Sequence, residues 1–88
     1  MRKRSVIVRC VHGLHARVAA EVVKLAQSHD ATVHIRCKGC PRASACSMLE
    51  LLTLGAGVGT RLDIVAEGPD AEVAIRDMAE VFERGGGI

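Results

Sequence analysis

The hydrophobic pattern of this 88-residue chain switches period repeatedly, and that limits its fold more than any other feature. Alternation with a period of two marks half-buried strands, whereas recurrence every three to four residues marks amphipathic helices. Ser5 to Val11 carries β-branched Val6, Ile7 and Val8 and reads as a strand broken by Gly13. From about His15 to Ser28 the pattern turns helical. Ala19, Val22, Val23 and Ala26 recur at helical spacing, with Glu21, Lys24 and Gln27 between them. Ala31 to Cys37 alternates again, placing Val33 and Ile35 on one side and Thr32, His34 and Arg36 on the other. Lys38-Gly39 signals a turn, and Pro41 limits the stretch up to Ser44 to a weak edge strand. Ser47-Met48-Leu49-Glu50 has capping-box spacing and opens a short helix through Leu51, Leu52 and Leu54, with Gly55 as its stop. Gly57 and Gly59 turn the chain into a strand from Thr60 to Ala66, with Leu62, Ile64 and Ala66 on one face. After Gly68-Pro69-Asp70 a last helix runs to about Arg84 on a stripe of Ile75, Met78, Val81 and Phe82, and Gly85-Gly86-Gly87 ends it.

The order β-α-β-β-α-β-α predicts an α+β fold in two layers. This is an open-faced β-sandwich: a four-stranded antiparallel sheet with three helices packed on one face, built from residues 1–88 as a single domain. Its core must be aliphatic, because the chain has one Phe, no Trp and no Tyr. That count excludes functions that stack bases on aromatic rings, and a net charge of +2 is too small to call for a nucleic-acid partner. No apolar run approaches the ~20 residues of a membrane span, so no membrane insertion is expected. Arg9 and His12 interrupt the only run resembling a signal peptide, which predicts a cytoplasmic protein. In that compartment Cys10, Cys37, Cys40 and Cys46 are expected as reduced thiols. Arg2, Lys3 and Arg4 read as a solvated leader.

Gly13-Leu14-His15-Ala16-Arg17 is the most informative segment. It puts a histidine at the mouth of a helix and an arginine two residues later. Unpaired N–H groups and the helix dipole at such a terminus favour a phosphate, and the same field disfavours imidazolium, keeping His15 neutral and nucleophilic. Once phosphorylated, His15 would hold its charge against backbone donors and the Arg17 guanidinium. From spacing alone, a simple cap or surface histidine remains the competing reading.

Gly13-Leu14-His15-Ala16-Arg17-Val18-Ala19-Ala20 resembles the active-site signature of the histidine-containing phosphocarrier (HPr) family of the bacterial sugar phosphotransferase system. Ser47 to Gly55 is similar to that family's regulatory-serine helix, and element order and length agree. The resemblance implies a carrier rather than an enzyme, with no cofactor and no metal. It implies that His15 takes phosphate on Nδ1 from phosphorylated enzyme I, itself charged by phosphoenolpyruvate, and passes it to the A domain of a sugar permease. Arg17 would support the phosphate, and Ser47 would be the target of an ATP-dependent HPr kinase. Met48 and Leu49, with Leu52, match the family's exposed docking patch, to which Ala20 and Lys24 could contribute. A shuttling carrier of this kind is expected as a monomer.

The signature departs from the family in Val18, where proline is usual. Proline suits a first helical turn because its missing N–H had no intrahelical partner, so valine there is expected to leave the chemistry intact. A paralogous carrier of a nitrogen-regulatory phosphorelay shares these residues and stays open as an alternative. Cys37-Lys38-Gly39-Cys40 has the spacing of a zinc knuckle or redox pair, with Cys46 and His34 as the nearby further ligands, and a small metal or thiol-redox module is the competing reading from another class.

Overall fold

A computed structural model of the chain describes residues 2–9, 16–37, 42–54, 57 and 59–84. Four strands form one sheet: β1 (Arg2–Ile7), β2 (Thr32–Cys37), β3 (Ala43–Ser44) and β4 (Arg61–Glu67). The helices are α1 (Ala16–Ser28), α2 (Met48–Thr53) and α3 (Ala71–Arg84). The sheet order is β1-β4-β2-β3, and every neighbouring pair is antiparallel.

Alternation decides which face is buried. Val6, Val33, Ile35, Leu62, Ile64 and Ala66 point inward, and the cross-strand register aligns Ile64 with Ile35 and Val6 with Leu62. The helices cover that face. Val18, Ala19, Val22 and Ala26 of α1, Leu51 of α2, and Ala74, Ile75, Met78 and Phe82 of α3 fill the core between the layers. Many of the helix contributions are alanines, which lets the helices lie close to the sheet. Phe82, the chain's one aromatic residue, is fully buried. No polar or charged residue is buried among those described, so the core rests on burial of apolar surface.

The predicted fold class and element order agree with this architecture. One boundary and two buried faces differ from expectation. β1 begins at Arg2, so Arg2, Lys3 and Arg4 are strand and not a solvated leader. Arg2 pairs in register with Ala66, and Arg2 and Arg4 lie 3.8 and 3.9 Å from Glu72 and Glu83 of α3. Exposed pairs at that distance add little, so the backbone ladder to β4 is what holds this basic segment. On α1 it is Val18, not Val23, that joins the fully buried stripe, and on α3 Ala74 and Ala79 are more buried than Val81. The strand end at Val11, the break at Gly13, Lys38-Gly39, Pro41, the stop at Gly55 and the tail 85–87 lie outside the described residues, as do Cys10, His12, His15 and Cys40.

Two turns are pinned together at the far end of α1. Asp30 N donates to Asp70 Oδ2 at 2.7 Å, and Asp70 N donates to Asp30 O at 3.1 Å. Beside them His29 caps α1: its Nδ1 lies 2.7 Å from Leu25 O and its Nε2 3.3 Å from Asp77 Oδ2 on α3. The partner of this imidazole on α3 is 48 positions away along the chain.

Candidate functional site

α1 starts at Ala16, the residue directly after His15, so the described helix opens where the sequence predicts its mouth. His15 itself lies outside the described residues. Val18 is in the first turn, where its N–H needs no intrahelical acceptor, and its side chain is fully buried. The valine that replaces the family's proline therefore anchors this turn to the core. Arg17, Ala20 and Lys24 are exposed and fall at i, i+3 and i+7, so they line one solvent-facing stripe running down α1 from its N-terminus.

α2 packs beside α1 and supplies the apolar part. Leu51 is fully buried and fixes the helix, while Leu49 is 76% exposed and Met48 and Leu52 are 37% and 39% exposed. These three are among the few large apolar side chains of the described residues left in solvent. Three exposed apolar groups on a six-residue helix have no stability rationale, and they leave a small apolar surface on α2.

Ser47 is the N-cap of α2, and its Oγ accepts from Glu50 N at 3.2 Å. The predicted capping box is only half made. Glu50 Oε1 accepts from Ser44 N at 3.0 Å, while Ser47 N donates to Ser44 O at 3.1 Å. The carboxylate thus ties α2 to β3 and leaves the Ser47 amide to the tight turn before the helix. No sequence signal distinguishes this from a complete box, because it depends on β3 lying alongside.

The cysteines depart from expectation. Cys37 is disulfide-bonded, not a reduced thiol, and its partner sulfur lies outside the described residues. Cys37 ends β2 and is half-buried against the core. Cys46 is a free, exposed thiol. Among the described residues no three His, Cys, Asp or Glu side chains are grouped to hold a metal ion. His34 stands on the solvent face of β2, away from the half-buried Cys37 on the opposite face. No described helix is long and apolar enough to cross a membrane.

A family model described as "PTS HPr component phosphorylation site" matches residues 2–84. The chain belongs to the HPr family. It is therefore similar across residues 2–84 to phosphocarriers of the phosphotransferase system. The phosphocarrier protein HPr of Borreliella burgdorferi is 37% identical over 83 residues, covering 94% of this chain and 95% of that protein. The phosphocarrier protein NPr of Shewanella violacea is 38% identical over 73 residues, covering 83% and 79%. The crystal structure of HPr from Thermoanaerobacter tengcongensis superposes with a TM-score of 0.91 at 28% identity, covering 100% of this chain and 98% of that one. A crystal structure of an HPr dimer from the same organism gives 0.76 at 28% identity, covering 100% of both chains. The fold described above is thus the fold of the HPr family.

Proposed function

We propose that this chain relays a phosphoryl group through His15. The observation that carries the reading is the start of α1 at Ala16, with exposed Arg17 in its first turn, in a chain matched to the HPr family across residues 2–84. The donor is phosphorylated enzyme I, and the acceptor is the A domain of a sugar permease. In the first transfer an N–P bond breaks on the donor histidine as one forms at Nδ1 of His15, and in the second the His15 N–P bond breaks as one forms on the acceptor domain. The carrier contributes position and charge rather than acid–base chemistry: helix N–H groups and the Arg17 guanidinium face the developing negative charge.

Partners that must leave after transfer need a modest interface, apolar in the middle and charged around it. Met48, Leu49 and Leu52 supply the apolar part, and Arg17 and Lys24, with Ala20 between them, supply a cationic border that favours acidic partners and speeds encounter. Ser47 is a regulatory site for HPr kinase. A phosphate on its Oγ would sit at the start of α2, adjacent to Met48 and Leu49, and oppose docking there by charge and hydration. We place the protein in the cytoplasm, acting as a monomer.

The nitrogen-regulatory branch is kept as a second reading because NPr of Shewanella violacea is 38% identical to this chain over 73 residues, beside 37% over 83 residues for HPr of Borreliella burgdorferi. Incubation with radiolabelled phosphoenolpyruvate and enzyme I tests the relay. Wild type is expected to take up acid-labile label and His15→Ala none; equal labelling of both would overturn it. Comparing the sugar-branch and nitrogen-branch enzyme I as donors separates the two wirings by rate.

A further inference from the structure

The helix-free face of the sheet carries a charge pattern that the relay does not use. Cross-strand register sets Lys3 beside Val65 and Val65 beside His34, and in the next row Ser5, Asp63 and Arg36. Adjacent strands lie about 4.8 Å apart, so these side chains form one continuous surface. A shallow groove of about 360 Å³ runs over it, lined by Lys3, His34, Arg36, Arg42, Val65 and Glu67. Asp63 is already engaged: it accepts from Ser5 Oγ at 2.6 Å and lies 3.9 Å from Arg61 Nε. Among the described residues, Lys3, Arg36 and Arg42 make no ion pair. Lys3 and Arg36 act on Asp63 only at longer range, so three cations without a close ion pair line a groove floored by an apolar side chain.

We propose that this face docks an acidic segment of a partner protein, with Lys3, Arg36 and Arg42 meeting its carboxylates over Val65. A second copy of the chain is disfavoured, because the face holds Lys3, Arg36, Arg42 and Arg61 against Asp63 and Glu67 and would repel itself. A uniformly anionic surface, such as a phospholipid bilayer, is disfavoured by Glu67 and Asp63 within the same face. A protein can set carboxylates against the cations and a cation against Glu67. The groove is too open to exclude water from a lone small anion, whereas a protein segment lying along it would do so and strengthen each contact. The surface is distinct from Met48, Leu49 and Leu52, which α2 carries on the helical layer.

The test is chemical-shift mapping of ¹⁵N-labelled protein titrated with poly-L-glutamate, alongside sedimentation with phosphatidylglycerol vesicles. Amides of Thr32 to Arg36 and of Val65 are expected to shift, and the vesicles are expected to leave the protein in solution. The neutralising variant Lys3→Gln/Arg36→Gln/Arg42→Gln, checked for folding by its own spectrum, is expected to bind roughly tenfold more weakly or worse. Binding should fade between about 0.15 M and about 1 M salt, as the screening length falls from ~8 to ~3 Å. The wild-type map tests the proposal even if that variant fails to fold. Shifts confined to α1 and α2, unchanged affinity in a folded triple variant, or vesicle capture without poly-L-glutamate binding would each overturn it.

Discussion

Replacing Gly68 by alanine isolates a constraint that the fold imposes on a single atom. Gly68 has φ +121°, and a Cβ built there would stand 2.8 Å from the backbone oxygen of Asp30 and 3.1 Å from Ala31 Cα. Both obstacles are backbone, so no side chain can rotate away. The backbone conformation alone costs an L-residue about 1–3 kcal/mol. Relieving the contact means moving the 29–31 turn, whose Asp30 carbonyl and amide bond Asp70 at 3.1 and 2.7 Å; weakening those bonds adds about 1 kcal/mol. Reduced freedom of the unfolded chain returns about 0.5 kcal/mol. The net loss is about 1.5–3.5 kcal/mol, or roughly 6–28 °C in melting temperature for a domain of this size. Two other glycines divide the effect. Gly59, with φ +88° and nothing within 4 Å of a built Cβ, should lose only the conformational part. Gly57 has neither constraint and should change by no more than about 0.5 kcal/mol. Thermal melts of the three alanine variants check the series. If Gly68→Ala is no worse than Gly59→Ala, the close approach to Asp30 does not matter and the reasoning fails.

Further outcomes follow from the same geometry. Ser47→Ala should cost about 1 kcal/mol by removing the acceptor for Glu50 N, visible as a melting shift of roughly 4–8 °C, while Ser47→Asp keeps the cap and should slow phosphoryl transfer to partners instead. A double-mutant cycle on His29→Ala and Asp77→Asn in thermal melts should return a coupling of about 0.5–1.5 kcal/mol; additive effects would show that the 3.3 Å contact is inert. The Asp63 carboxyl is held below its ordinary pKa, first by the Ser5 hydroxyl and then by Lys3, Arg61 and Arg36, against an opposing effect of burial. A depressed carboxyl stabilises the fold above its unfolded pKa of about 3.9 and loses that contribution as pH falls through the lower folded value, so denaturant titrations should show Asp63→Asn losing less stability than wild type below about pH 4. Alkylation under native, non-reducing conditions should label Cys46 and spare Cys37, which should become labelled only after reduction and unfolding.

Periodicity made the layers legible because burial on one face leaves its mark every second or every three to four residues. Val33 and Ile35, Leu62 and Ile64, and Val22 and Ala26 were placed inward by that rule and are inward in the fold. The helix start next to His15 and the cap at Ser47 were also readable, since both arise from groups within four residues of each other.

What the sequence by itself determined, then, is the order of elements, their inward faces and the place where α1 begins. Tertiary structure decided what depends on distant partners. β4 recruited Arg2 to Arg4 into a strand because backbone ladders do not ask for hydrophobic side chains. Ser44 diverted Glu50 from its capping box, and Asp77 gave His29 a partner on another helix. The cations of Lys3, Arg36 and Arg42 became one surface only when β1, β4, β2 and β3 were laid side by side. Local hydrogen bonds and hydrophobic period are written within a few residues, whereas a charge acquires or lacks a partner only after the chain has closed on itself.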